Sequence, residues 1–175
     1  MKKIILVSIL LISGLSFADG NNDWQNIDQN VIKLNALNSC QGCVLRDTSF
    51  IGADLNNASL SGVDFISANL SSANLDNANL EGSSLFGADM NGTSLENANL
   101  FGSNLFAVNL SGANLTGANL IEADLSLANL SGVNFSQANL TNANLLGADL
   151  SGAILEGAFL CNTMMPWGLE NSSCQ

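Results

Sequence analysis

Between residues 43 and 162 the large apolar, small and polar positions of the chain repeat every five residues, without insertion or deletion. Each unit has a small position, a polar position, a large central position and two turn positions, as in Ala68-Asn69-Leu70-Ser71-Ser72. Leu fills 20 of the 24 central positions, and Ala fills 16 of the 24 small positions. The other central residues are also large and apolar: Phe50, Phe65, Met90 and Phe135. This pattern predicts one continuous repeating element.

A period of five fits neither kind of regular secondary structure. On an α-helix, central residues five apart would scatter around the axis, and on a flat strand they would alternate between the two faces. One shared core therefore requires a chain that turns at every unit and stacks its coils on one another. The sequence accordingly predicts a solenoid.

The repetition of Ala-(Asn/Asp)-Leu, as in Ala148-Asp149-Leu150, resembles the pentapeptide-repeat proteins. The match covers about two thirds of the chain. The resemblance implies an all-β fold, a right-handed quadrilateral parallel β-helix with four units per coil, so that the 24 units form six coils. Leu and Phe would then lie inside beside small Ala residues, and the Asn side chains would form polar ladders outside. Gly at many second turn positions, such as Gly52 and Gly62, suits tight turns.

Residues 1–18 are typical of a secretory signal peptide, with Lys2 and Lys3 before an apolar stretch and small residues at Ser16 and Ala18. A transmembrane anchor would need about 20 apolar residues. We therefore expect an exported protein, periplasmic or secreted, whose mature form has no membrane segment. Removing residues 1–18 lowers the net charge from −11 to −13. Nucleic acid is not expected as a partner, because phosphate binding requires clustered basic residues.

The flanks of the repeats, residues 19–42 and 163–175, are predicted to form caps over the two ends of the solenoid. In the first, Trp24, Ile27, Val31 and Leu34 recur at helical spacing, which predicts an amphipathic helix over 24–38 with Asp23 or Asp28 as its N-cap. Both flanks resemble the caps of exported pentapeptide-repeat proteins. The second departs from them in having Trp167 where those relatives usually carry a charged residue.

Four cysteines, Cys40, Cys43, Cys161 and Cys174, allow three pairings. In the rod that the resemblance implies, the first two lie at one end and the last two at the other, about 25–30 Å away. A disulfide needs Cα atoms within about 7 Å. We therefore predict the bonds Cys40–Cys43 and Cys161–Cys174, and the same separation excludes one zinc site formed by all four. A redox role for Cys40 and Cys43 is the alternative, which would require a reactive thiol.

The composition offers little catalytic chemistry. The chain has no His to activate a Ser nucleophile or to bind a metal. Glu122 and Asp124 are close in sequence, but both belong to outward positions on a convex rod, where no cleft raises the pKa of a carboxyl group. We expect a non-enzyme without cofactor or metal.

The first turn residue of each unit points outward, and residues 20 apart share one side of the rod. Large apolar residues at these positions are concentrated on two adjoining sides, and Leu127 at a second turn position lies beside them. This set forms the predicted docking face, for another protein or for a second copy of the chain: Ile66, Phe86, Phe101, Phe106, Ile121, Leu127 and Leu146. Alternatively, the stacked residues only stabilise the coils.

The sequence therefore predicts an interaction scaffold or structural rod. An alternative is an acidic rod that mimics DNA and inhibits a DNA-binding enzyme such as gyrase, as some relatives in the pentapeptide-repeat family do. Export and the thin spread of the acidic residues count against it. A third interpretation is a flat polar side for a repetitive ligand such as a glycan or ice, formed by Ser71, Asn91, Ser111, Ser131 and Ser151.

Overall fold

The computed structural model describes residues 23–174, and within the first helix it omits the side chains of residues 23–26 and 28. The predicted signal peptide, residues 1–18, and the Trp24 side chain lie outside the described part. Three elements flank or close the repeats: helix α1 at Asp23–Leu37, strand β1 at Thr163–Met165 and strand β2 at Gly168–Glu170. Between α1 and β1 the chain winds as a solenoid.

The coils of the solenoid are joined by parallel bridges between residues 20 apart, such as Asn79 to Asn99 and Asn99 to Asn119. The amide of each central residue from Leu45 to Leu145 donates to the carbonyl 19 residues further along, in the next coil, as from Leu80 to Asn99 at 2.7 Å. Four units therefore complete one turn, with one bridge on each side. This confirms the solenoid that the five-residue period predicts and the parallel β-helix that the resemblance implies.

A tight turn forms every corner between successive units. The amide of the small residue donates to the preceding central carbonyl, as from Ala68 to Phe65 at 2.9 Å. Each second turn residue between 42 and 162 has a φ of 52–73°, as in a type II turn, which favours Gly or Asn at this position. The polar side chain completes the corner, because the amide of Ser71 donates to Asn69 Oδ1 at 3.0 Å.

The core runs along the axis of the solenoid. All central residues from Leu45 to Leu145 are buried, and Phe50 packs edge-on against Phe65 with ring centroids 5.5 Å apart. On the outside, the side-chain amide of Asn119 donates to Asn99, and that of Asn99 donates to Asn79. Both the inward Leu positions and the polar ladders agree with the prediction.

Helix α1 covers the N-terminal end of this core. Val31 and Leu34 are buried against the first coil, and Ile27 is partly buried there. The helix ends at Leu37 because Asn38 adopts a left-handed φ of 50°. The prediction of Asp28 as N-cap is wrong, since α1 begins at Asp23 and Asp28 lies inside it.

The C-terminal cap is a small antiparallel hairpin. In it, β1 pairs with β2 so that Met164 lies opposite Leu169, and Met164 also bridges in parallel to Asn144. Cys161 and Cys174 form a disulfide beside the hairpin, and Cys40 and Cys43 form the second one at the other end. The structure confirms both predicted pairings, whereas the sequence did not predict the hairpin.

Candidate protein-docking face

The docking face is built around two stacked phenylalanine rings. Phe86 and Phe106 occupy the same outward position in successive coils, and their rings are parallel within 3° at a centroid distance of 5.5 Å. The amide of Gly87 donates to the carbonyl of Phe106 at 3.0 Å, so the backbone fixes the register of the rings. Phe86 is 43% exposed and Phe106 is half-buried beside it, as is Ile66 on the other side of Phe86. The coil spacing thus creates the aromatic stack.

Leu127 continues this apolar column in the coil whose first turn residue, Ser126, is small and polar. Ser126 follows Phe106 in the column and is buried, whereas Leu127 is 59% exposed. The Leu127 side chain leans over the next coil, because a Cβ on Gly147 would lie 2.7 Å from its Cδ2 atom. Leu146, 56% exposed, follows in that coil. The column is therefore apolar from Ile66 to Leu146 except at the covered Ser126.

Leu127 also has an unfavourable backbone conformation. Its φ is 56°, in the left-handed region that costs a residue with a Cβ roughly 1–2 kcal/mol. In the same column of second turn positions, Gly87 and Gly147 meet this requirement without strain. Leu127 is bulky, largely exposed and held in a disfavoured backbone conformation. Such outliers are often found at functional sites, which points to a function for its side chain.

Phe101 and Ile121 lie on the adjoining side, one coil apart. The amide of Gly102 donates to the carbonyl of Ile121 at 2.9 Å, which aligns the two residues in one column. Phe101 is exposed and Ile121 is half-buried. Among the described aromatic residues, Phe101 has no ring contact with Phe86 or Phe106. The seven predicted residues thus form two neighbouring apolar columns rather than one continuous aromatic cluster.

Charged side chains lie both around the face and within it. Arg46 begins the main column and forms an ion pair with Asp64 at 2.5 Å, and Glu81 precedes Phe101 on the adjoining side. The first turn positions of the two columns carry no charge from Ile66 to Leu146 and from Phe101 to Thr141, but Glu122 and Asp124 lie between the columns. The face is therefore made of apolar columns with acidic residues beside them, and protein interfaces also combine apolar and polar surface.

The described residues also bear on metal binding, thiol chemistry and membrane insertion. Residues 23–174 contain no group of three or more His, Cys, Asp or Glu side chains that could hold a metal ion. None of their cysteines is free. In the same range no helix has the length and apolar character needed to cross a membrane.

A second exposed apolar set, at the C-terminal end of the solenoid, was not predicted from the sequence. Ile154 and Phe159 occupy polar positions of the last coil, and Met164 and Leu169 lie on the outer side of the hairpin. The signal was present in the sequence. Among the 24 polar positions only Val44, Ile154 and Phe159 are apolar.

A family model for pentapeptide repeats matches eight copies along this chain, over residues 39–66, 64–102, 103–142 and 128–165. The chain belongs to the pentapeptide-repeat family. The right-handed β-helix of that family agrees with the predicted fold. A comparison with curated protein sequences finds no match.

Solved pentapeptide-repeat structures resemble parts of the chain. Rfr23 from the cyanobacterium Cyanothece is 32% identical, with 75% of this chain and 92% of that chain covered and a TM-score of 0.43. HetL from the cyanobacterium Nostoc, involved in heterocyst differentiation regulation, is 35% identical over 74% of this chain and 67% of its own, with a TM-score of 0.30. A thylakoid lumen protein from Arabidopsis thaliana is 31% identical over 53% of this chain, with a TM-score of 0.41. The match spans 61% of the Arabidopsis chain.

Proposed function

We propose that this pentapeptide-repeat protein is a non-enzymatic, exported interaction scaffold that binds another protein through the docking face. The observation that carries the proposal is Leu127, which is strained, largely exposed and placed where it completes the apolar column between Phe106 and Leu146. Stability of the solenoid alone would favour Gly at this turn, as at Gly147. The proposed role of Leu127 is therefore contact with a partner.

The test of the docking face is the double substitution Phe86→Ser with Phe106→Ser. The control is Ile51→Ser, which removes an apolar side chain that is even more exposed than Phe86 from another side of the solenoid. Protein captured by the wild type from the exported compartment should be lost with the double variant and retained with Ile51→Ser. Binding to the purified partner should then weaken at least tenfold, as expected when interface aromatics are removed.

The same variants distinguish a docking face from a structural ladder. If partner binding is unchanged while the melting temperature of the double variant falls, the stacked rings only stabilise the coils and the proposed site is wrong. If the melting temperature changes little and binding is lost, the rings are exposed for the partner.

Export is supported by the two disulfides, because such bonds persist in oxidising compartments. The predicted signal peptide supplies the route. The protein should be recovered from the exported fraction with an intact mass that corresponds to a chain starting at Asp19. Recovery of only the uncleaved chain inside the cell, with four reduced thiols, would contradict this part of the proposal.

The DNA-mimic alternative depends on a continuous acidic track. The acidic residues of the solenoid are spread over its sides, with Asp76 and Glu96 on one, Asp64 and Asp124 on another and Asp89 on a third. Duplex DNA presents one charge per about 1.7 Å, which this spread does not reproduce. We therefore favour the docking face, and a gyrase supercoiling assay that shows inhibition by the purified protein would reverse that choice.

A further inference from the structure

The strip of surface between the two apolar columns of the docking face is open to a partner. Gly82 and Gly102 lie on it, and a Cβ atom on either would meet no atom within 4 Å beyond its chain neighbours. Ser84 and Asn104 follow in the same two coils, so no large side chain separates the columns there. One partner segment can therefore contact both columns at once.

The backbone of this strip leaves no amide for a partner strand. Every amide from 102 to 107 donates within the chain, as from Asn104 to Ser83 at 2.9 Å and from Leu105 to Asp124 at 2.7 Å. Strand addition requires the free backbone groups of a sheet edge. An extended segment would gain no such bonds here, whereas an α-helix pairs its backbone groups internally.

The spacing of the coils also favours a helix. Successive coils lie about 4.8 Å apart, so the apolar column from Ile66 to Leu146 is about 19 Å long. Side chains on one face recur about every 5.4 Å in a helix and about every 6.6 Å in a strand. Over four coils a helix drifts from the column by about 2 Å, but a strand drifts by about 7 Å, which is more than one coil. A helix of about 13 residues therefore spans the column nearly in register.

Carboxylates without a cation lie where such a helix would pack. Glu122 is half-buried, and its carboxylate has no hydrogen bond or ion pair with residues 23–174. Asp124 Oδ1 accepts hydrogen bonds from uncharged groups, at 2.5–3.2 Å. The two basic side chains of residues 23–174 lie elsewhere, because Lys33 is in α1 and Arg46 pairs with Asp64.

These carboxylates determine what kind of helix can cover the strip. An apolar or acidic helix would remove their charges from water without supplying an opposite charge, which is strongly unfavourable. A helix with Lys or Arg supplies that charge, and the net charge of −11 on the chain attracts it. Glu81 precedes Phe101 in its column and lies about 10 Å from Glu122 along the rod. Helix positions seven residues apart have nearly the same separation, about 10.5 Å.

We propose that the partner segment of the docking face is a basic amphipathic helix. Its apolar stripe packs along the two columns, and two Lys or Arg residues seven positions apart pair with Glu81 and with the carboxylates of Glu122 and Asp124. The inference rests on the proposed function of the docking face and adds the chemical class of the partner. Flat ring ligands fit this face less well, because Phe86 and Phe106 stack on each other and cover their own ring faces.

The test uses three synthetic helical peptides of about 15 residues that share one stripe of Leu. Two positions beside the stripe, seven residues apart, are both Lys in the first peptide, both Gln in the second and both Glu in the third. Fluorescence anisotropy measures their binding to the protein, expressed as the full chain, at low and high salt. Vesicles of phosphatidylcholine are tested in parallel, because a lipid surface could also cover exposed apolar side chains.

The decisive variant is Glu122→Gln with Asp124→Asn, which removes two charges and keeps the size of both side chains. The fold accepts these residues, since Gln137 has a left-handed φ of 61° at a second turn position and Asn104 and Asn144 occupy the polar position in the neighbouring coils. The matched control is Glu96→Gln with Asp89→Asn, which removes the same two charges from other sides of the solenoid.

We expect the Lys peptide to bind at least tenfold more tightly than the Glu peptide, with weaker binding at high salt. The decisive variant should bind the Lys peptide at least tenfold more weakly than wild type, and the control should differ from wild type by less than about threefold, since distant exposed charges act weakly. Glu122→Lys should instead favour the Glu peptide, a gain that misfolding cannot produce.

The proposal is overturned if no peptide binds at millimolar concentration, or if the Lys and Glu peptides bind equally well. It is also overturned if the decisive variant retains the affinity of wild type for the Lys peptide. Such a result, together with loss of protein capture by Phe86→Ser with Phe106→Ser, would leave the docking face in place and exclude only the basic helix. Binding of the wild type to the vesicles, abolished by the same Phe substitutions, would assign the face to a lipid surface instead.

Discussion

At the scale of single residues, the second turn position is the most constrained in the repeat. Every one of these residues from Gly42 to Asn162 has a left-handed φ. Gly and Asn adopt it readily, whereas Ala107 and Leu127 do so against a steric cost. The two lie one coil apart in the same column, which makes them a matched pair for separating backbone strain from side-chain contact.

We expect Ala107→Gly to raise the free energy of unfolding by about 1 kcal/mol, because it relieves strain and removes only an exposed methyl group. Leu127→Gly relieves the same strain but loses the packing of its side chain over Gly147. It should lie within about 1 kcal/mol of the wild type. Urea unfolding measures both. A loss above about 2 kcal/mol for Leu127→Gly would show that Leu127 is retained for stability rather than for a partner.

Ser83 is the one residue of the described chain with a buried side-chain oxygen that lacks a hydrogen-bond partner. Ser103 follows it in the same column and donates to the carbonyl of Leu100 at 2.8 Å. Burying an unpaired hydroxyl costs about 1–3 kcal/mol. Ser83→Ala should therefore raise the free energy of unfolding by about 1 kcal/mol, while Ser103→Ala should not raise it. Equal effects of the two substitutions in urea unfolding would contradict the assignment.

At the scale of elements, the sequence predicted the features that depend on a periodic pattern of apolar residues. Alternation of a small residue and a large one fixed which side chains of the solenoid face inward, and the spacing of Ile27, Val31 and Leu34 predicted α1 to within one residue at each end. The hairpin was not predictable in this way. Its strands have three residues each, too few for a period to appear, although Met164 in β1 continues the column of Asn144.

In the candidate sites, too, only the features that follow from the repeat register could be predicted from the sequence. Counting in steps of 20 predicts that Phe86 lies over Phe106, and the stacked rings confirm it, since register alone determines this contact. The same count did not predict that Phe101 lacks a ring contact with them, because contact across a corner depends on side-chain rotamers. The partial exposure of Leu155 was not predicted either, because the repeat gives this position the same residue type as the buried central positions of earlier coils.

The hairpin should depend on its disulfide more than the first coil depends on its own. Cys161–Cys174 closes a loop of 14 residues, worth about 3 kcal/mol by loop entropy, whereas Cys40–Cys43 closes one too short to restrict much. We expect Cys161→Ala with Cys174→Ala to speed hydrogen exchange over residues 163–170 and to leave the central coils protected. The control, Cys40→Ala with Cys43→Ala, should not change exchange in the hairpin.

Both disulfides should also be complete in the protein as isolated. Alkylation without reductant, followed by intact mass measurement, should detect no free thiol. Two labelled cysteines per chain would show that one bond does not form. Exchange that rises first in the central coils upon reduction would contradict the order of opening expected from the loop sizes.

At the scale of the whole molecule, the solenoid behaves as a stack of coils in which each contacts only its neighbours. Its stability is approximately the sum of the contributions of the coils and of the contacts between neighbouring coils. A coil at either end has a neighbouring coil on one side only. The first coil, which α1 covers, therefore differs from the last described coil, whose central residues are only partly buried. Unfolding is expected to begin at the C-terminal coil, where Leu150, Leu155 and Leu160 are only partly buried.

A central substitution should interrupt this stack from within. Leu105 is fully buried at the centre of its coil, and Leu105→Lys would place an unpaired charge in a packed apolar axis, a cost well above the stability of one coil. We expect the wild type to melt in one cooperative transition when followed by circular dichroism, and this transition to be lost in Leu105→Lys. The contrasting variant is Asn114→Ser, at an outward position in a neighbouring column. The same column already contains a serine, Ser94, which bridges to Asn114, so this change should alter the free energy of unfolding by less than about 0.5 kcal/mol.

A cooperative transition at the wild-type temperature for Leu105→Lys would mean that the chain can rotate or bypass a unit without losing its neighbours. The coils would then not be coupled through a continuous core, and the account of the molecule as one stacked rod would fail.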